Sequence, residues 1–184
     1  MDIFTIYIKN NLKRALLILM LLIPALASFP QSADTTVHSV VDFRPGLGYL
    51  GLASGRYHCV ILDLQFISSQ RYWIIKPFGG VWTSAYGNTM IYAGISIPIA
   101  FTPYLELDVG FAPGLYLKTF DLDLGSPVEF KSTIGLKYIF RNKNAAGIEF
   151  AHISNGGIGY YNPGTETLMF YFRLPLGFPK KQKK

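Results

Sequence analysis

Period-two alternation of large apolar residues with charged or small ones dominates the chain after residue 40, and no helical periodicity competes with it there. From Leu105 to Phe111 the odd positions are large and apolar, whereas the even ones are acidic or glycine. Val128 to Tyr138 sets Val, Phe, Ile, Leu and Tyr against Glu, Lys, Thr, Gly and Lys. Ile91 to Phe101 repeats the pattern more weakly. Successive side chains of a strand point to opposite faces, so each segment presents one face to oil and the other to water. Val40 to Leu52, His58 to Phe66, Tyr72 to Thr83, Ala145 to Ser154 and Thr165 to Leu174 complete a set of eight candidate strands. Lys76-Pro77 and Gly79-Gly80 interrupt the third of these and leave its register open.

The N-terminus fixes the compartment in which these strands must fold. A basic flank ending in Lys13-Arg14 precedes the apolar run Ala15 to Ile23, and Ala25-Leu26-Ala27 supplies a small-x-small cleavage pattern. The run falls short of the ~20 residues that a membrane-crossing helix needs. We expect residues 1–27 to be a secretory signal peptide, 28–178 a single barrel domain and 179–184 a basic tail. Cys59 is the only cysteine, which excludes an internal disulfide and a cysteine-rich metal site.

Spanning strands take ~9–11 residues each, and eight of them with their turns use most of the mature length. The expected fold is all-β: an eight-stranded antiparallel transmembrane β-barrel of a Gram-negative-type outer membrane, closed so that every backbone group is satisfied in lipid. A soluble barrel or sandwich of lipocalin type shares the alternation, with its apolar face turned inward. The connections at 68–70, 102–103 and 141–144 are short, whereas 118–127 and 155–164 are longer. Short turns face the periplasm and long loops face outward, so from a periplasmic N-terminus the 155–164 loop lies outside the cell.

The formal net charge of +6 lies partly in the signal flank and partly in Lys180 to Lys184. It forms no binding face, so no nucleic-acid partner is expected; the tail suits solvent or phospholipid. The tail also follows Phe178, where outer-membrane barrels commonly end on an aromatic.

Parity singles out three polar residues. His152 and Ser154 share a face with Ile148 and Phe150, and Glu166 shares one with Leu168, Phe170, Phe172 and Leu174. Antiparallel pairing across the 155–164 loop brings Glu166 alongside His152, with Ser154 next along. Three groups that should avoid lipid then converge on the apolar face. An unpaired basic charge there costs ~2–4 kcal/mol near the midplane and less near the interface. A serine nucleophile needs a base, and the base needs a third group to orient it and stabilise the imidazolium; Ser154, His152 and Glu166 match those roles in that order. On spacing alone, a polar cluster at the membrane interface of a non-enzymatic structural or adhesive barrel is an equal alternative.

The segment Ala151-His152-Ile153-Ser154-Asn155-Gly156-Gly157, followed by Asn162-Pro163-Gly164-Thr165-Glu166 and Phe170 to Leu176, resembles the C-terminal signature of the PagL-type lipid A 3-O-deacylases. The shared pattern is H-x-S-N before small residues, the fourteen-residue step from His to Glu, and an aromatic-rich last strand. The resemblance covers about the last quarter of the chain. It implies hydrolysis of the ester-linked acyl chain at position 3 of lipid A, with lipopolysaccharide as substrate and no cofactor or metal required. It also implies Ser154 as nucleophile, His152 as base and Glu166 as its partner. The backbone N–H groups of Gly156 and Gly157, helped by the Asn162 side chain, would form the oxyanion hole, and Asn155 would shape the turn.

His38 and His58 have no partners at metal spacing and are expected to be structural. Parity puts Glu106, Asp108, Glu129, Lys131, Lys137 and Glu149 in the lumen, where a charged network would fill a narrow barrel. Oligomeric state leaves no mark in the sequence, and a homodimer stays open.

Overall fold

The computed structural model describes residues 39–52, 57–119 and 122–177. The expected signal peptide, His38, Phe178 and the basic tail lie outside them. Eight strands follow one another: β1 (Ser39–Leu50), β2 (Cys59–Ser68), β3 (Lys76–Ser84), β4 (Thr89–Ala100), β5 (Leu105–Leu117), β6 (Val128–Ile139), β7 (Ala145–Ser154) and β8 (Thr165–Gly177). Each pairs antiparallel with the next, and β8 returns to pair with β1. Closure leaves no sheet edge, which is what hydrocarbon demands of a β-structure.

The alternation read from sequence decides which way each strand faces. Outward-pointing Ile91, Phe111, Leu115, Ile134, Ile148 and Phe170 are all substantially exposed, while Tyr92, Ala112, Tyr116, Thr133, Glu149 and Tyr171 next to them are buried in the lumen. An exterior this apolar is the wall of a membrane-spanning barrel; a lipocalin-type barrel would hide it inside. The lumen is filled and charged in its middle. Arg44 bonds both Gln65 and Glu149, Lys131 bonds Asp63 and lies 3.3 Å from Glu149, and Lys137 joins Glu106 and Asp108 at 2.6 Å each. The expected lumenal network therefore forms, apart from Glu129, which stands outside these ion pairs and is fully buried. Towards the 155–164 end the filling turns apolar, with Trp82, Met90, Tyr116 and Ile153. Leu122 and Leu124 fold in from the 118–127 connection to join them, helped by the Tyr116 hydroxyl donating to the Leu122 carbonyl at 2.8 Å.

The third strand begins later than the apolar run suggested. Tyr72 and Ile75 exchange backbone hydrogen bonds as a separate tight turn, with Trp73 at φ 58°, so the strand starts at Lys76. Gly80 weakens the alternation for a packing reason. A Cβ there would stand 2.8 Å from the hydroxyl of Tyr92, which reaches across to Asp63. His58 stacks on Tyr49 with ring centroids 5.9 Å apart, which accounts for it structurally.

Candidate active site

The last two strands bring the singled-out residues together. In the β7–β8 ladder His152 is the direct partner of Glu166, and Ile153 of Thr165. Cross-strand partners hold their Cβ atoms ~4.5–5.5 Å apart, so the two side chains must meet on the outer wall. His152 Nδ1 lies 3.6 Å from Glu166 Oε1, with the imidazole 48% exposed and the carboxylate 17%. That is ion-pair reach just outside a closed hydrogen bond, and catalytic hydrogen bonds are commonly long before substrate arrives. Ser154 ends β7 two residues along on the same face, half-buried, and pairs with Phe130 of β6.

With Nδ1 turned to Glu166, the other edge of the imidazole faces the 155–164 loop. A Cβ built at Gly164 would sit 3.0 Å from Cε1 and 3.5 Å from Nε2 of His152. Gly164 also has a φ of 59°, a left-handed conformation in which side chains are strained. This glycine therefore leaves the ring its space.

Asn155 organises the loop. Its backbone N–H donates to Asn162 Oδ1 at 3.1 Å, and its own Oδ1 accepts the Gly157 N–H at 2.8 Å. Its Nδ2 donates to the carbonyls of Leu124 and Tyr161 at 2.8 and 2.9 Å. The side chain next to Ser154 thus ties the 155–164 loop to the 118–127 connection, and Asn155 is fully buried in doing so. Of the three groups expected at an oxyanion hole, Gly157 has its N–H occupied by Asn155 and Asn162 is held by its carbonyl oxygen. The Gly156 N–H makes no hydrogen bond among the described residues.

At the mouth of the barrel, Lys118 and Asp123 form an exposed ion pair at 2.7 Å, and Asp123 also accepts the Gly125 N–H at 2.8 Å. The Lys118 hydrogen bond first, then those from Gly125 and the Tyr161 hydroxyl, hold the Asp123 carboxyl down to about 2.

Sequence reasoning passed over two contacts at the site. The reach of Asn155 to Leu124 depends on how the 118–127 connection folds, and nothing in the alternation signals it. Ser132 is different: it is exposed on β6 and pairs directly with His152. As a polar residue in the apolar parity class of Phe130 and Ile134, it carried the same signal that singled out His152. Among the described residues, no group of His, Cys, Asp and Glu has an arrangement that could hold a metal ion.

Known proteins match this architecture. A solved outer-membrane enzyme, PagL, superposes with a TM-score of 0.60 at 18% identity, covering 73% of this chain and 99% of its own. A de novo designed transmembrane β-barrel superposes with a TM-score of 0.52 at 10% identity, covering 76% and 99%. At these identities the likeness is one of fold. In sequence, the lipid A deacylase PagL of Pseudomonas aeruginosa is 31% identical over 85 residues, 46% of this chain and 47% of the relative. The matched stretch thus spans about half the length of that curated relative. The family model described as Lipid A 3-O-deacylase (PagL) matches residues 62–175, well over half of the chain, from β2 through the 155–164 loop into β8, and the chain belongs to that family.

Proposed function

We propose that this protein is an outer-membrane esterase that removes the 3-O-linked acyl chain of lipid A, acting on lipopolysaccharide from the lipid-facing side of its barrel wall. The observation that carries the reading is the His152–Glu166 pair, set beside Ser154 on a predominantly apolar exterior. Ser154 is the nucleophile. His152 takes its proton through Nε2, while Glu166 holds the Nδ1–H and stabilises the imidazolium that forms. The Ser154 oxygen then bonds the ester carbonyl carbon, and the leaving sugar hydroxyl receives the proton from His152. Water repeats the sequence to release the fatty acid.

The developing oxyanion would be met by the Gly156 N–H and by Nδ2 of Asn162, whose carboxamide is oriented through its bond from Asn155. Gly157 would have to give up its bond to Asn155 to contribute. One such donor is typically worth ~2.7–4 kcal/mol. Lipid A fills the outer leaflet, and the 155–164 loop stands at the outward end of the barrel. The substrate therefore reaches the wall laterally, without leaving the membrane.

The test is mass spectrometry of lipid A from cells expressing the protein, its Ser154→Ala variant or its His152→Ala variant. Wild type should yield lipid A lighter by one acyl chain. Both variants should leave lipid A intact while still migrating as folded, heat-modifiable barrels. Acyl loss that persists in either variant would remove the assignment.

A further inference from the structure

The crest of the 155–164 loop carries large side chains turned outward. Ile158, Tyr160 and Tyr161 are all exposed there, Tyr160 completely. Exposed apolar surface gathered in one place marks something that it meets.

The backbone beneath Tyr160 is pinned. Gly159 and Gly125 of the 118–127 connection lie back to back: a Cβ on Gly159 would run into the Gly125 carbonyl oxygen, and one on Gly125 into that of Tyr161. The Tyr161 carbonyl also accepts from Asn155 Nδ2 at 2.9 Å, and its hydroxyl donates to Asp123. Tyr160 stands between these two fixed residues, so its exposure is imposed by the fold rather than by slack in the loop.

The surroundings decide what the ring can meet. Lys118 and Asp123 form an open ion pair beside Tyr161, and such charges belong in the headgroup layer rather than in hydrocarbon. The path back to Ser154 is short. It runs one peptide step of ~3.8 Å to Asn155, then through the Asn155 side chain and its bond to the Tyr161 carbonyl, one residue past Tyr160. The sugar that carries the scissile ester, or the ring joined to it, therefore reaches Tyr160 while the carbonyl carbon is at Ser154. A sugar ring suits a tyrosine in this layer. It offers C–H groups on its flat side and hydroxyls around its rim, whereas tyrosine offers an electron-rich face and a polar tip.

We propose that Tyr160 is a stacking platform for the sugar headgroup of the substrate, so that esters of a sugar are hydrolysed in preference to esters of a simple alcohol. The inference deepens the esterase reading above and rests on it. Ser154 and His152 select an ester without regard to the alcohol it contains, and Tyr160 supplies that discrimination from the headgroup side.

The experiment compares kcat/KM for the 3-O-myristoyl ester of a glucosamine phosphate with that for nitrophenyl myristate, both in detergent micelles. Wild type, Tyr160→Ala and Tyr160→Trp are each assayed after their heat-modifiability has been checked. Tyr160→Ala should lose about threefold to tenfold on the sugar ester, the range of one aromatic contact, and nothing on the nitrophenyl ester. Tyr160→Trp should keep the wild-type ratio. An unchanged ratio in Tyr160→Ala overturns the platform, as does equal loss on both esters, the result expected of a ring that only anchors the loop in the membrane. If wild type cleaves the sugar ester alone, competition by free glucosamine phosphate decides: its inhibition constant should rise in Tyr160→Ala, and an unchanged constant overturns the platform. A wild type that cleaves only the nitrophenyl ester removes the platform and leaves an esterase. A wild type that cleaves neither ends the esterase reading, and the platform with it.

Discussion

Glu166 is the residue on which the proposed triad can be told from a polar patch. Its carboxylate is mostly shielded while its imidazole partner is half in the open, so its effect on His152 is one of orientation and charge rather than packing. Glu166→Gln keeps the size and removes both. An amide can donate to Nδ1, which favours the tautomer whose Nε2 carries the proton and can no longer act as a base. We expect kcat to fall by about 10²- to 10⁴-fold with KM little changed, measured by steady-state hydrolysis with a folded barrel. A change below about threefold in kcat would take Glu166 out of the mechanism. These residues were legible in the sequence because charged and polar side chains in an apolar parity class are conspicuous. Ser132 shares that parity yet draws less notice, since a serine is cheap near lipid beside a histidine or a glutamate. Gly164 was legible only as a turn former, because its value to His152 lies in the side chain it lacks.

Between elements, the 118–127 connection and the 155–164 loop act as one clasp over the barrel mouth, held by Asn155 to Leu124 and Tyr161 and by Tyr161 to Asp123. Asp123 gives the clasp its pH dependence. Its carboxyl is held at about 2 against an ordinary 3.8. The folded state therefore favours the ionised form, and the stability this adds is fully present above the ordinary value and lost as pH falls through about 2. Both partners of the Lys118 bridge are largely exposed, so the contribution is small. The carboxyl carbon resonance of Asp123 should titrate near pH 2 in the intact protein, and Lys118→Ala should move its midpoint up toward the ordinary value. A midpoint already near 4 in the wild type would show that the clasp does not hold this carboxylate.

The same scale shows what alternation can and cannot reveal. Parity reports which face a side chain takes, so β6, β7 and β8 lie close to where the alternation puts them, whereas β5 starts at Leu105 as expected but runs past Phe111 to Leu117. It does not report hydrogen-bond partners, so the apolar run at Tyr72 to Ile75 looks like strand although those residues turn back on themselves.

For the molecule as a whole, the lipid-facing wall and the charged lumen are the two faces of the same eight strands. The lumen's polarity was legible from parity. Its pairing was not, because Arg44 meets Glu149 across 105 positions and Lys131 meets Asp63 across 68, contacts that exist only once the barrel has closed. Lys131 sits where this closure is most exposed to failure. It is 1% exposed and bridges Asp63 on β2 to Glu149 on β7, while also lying over the Tyr92 ring at 4.5 Å. Lys131→Met keeps the length and removes the charge, leaving two buried carboxylates with Tyr92, Gln65 and Arg44 as their remaining partners. Breaking a buried pair from one side costs about 3–5 kcal/mol, whereas replacing both partners with apolar residues is often near neutral. The single variant should therefore unfold at a clearly lower denaturant concentration, and Lys131→Met combined with Asp63→Leu should recover part of the loss. Ester hydrolysis per folded molecule should persist in both, since His152, Ser154 and Glu166 lie on the opposite side of the wall from Lys131. If the single variant is as stable as wild type, the ion pairs do not hold the lumen together. If it is stable but inactive, the two faces of the barrel are coupled.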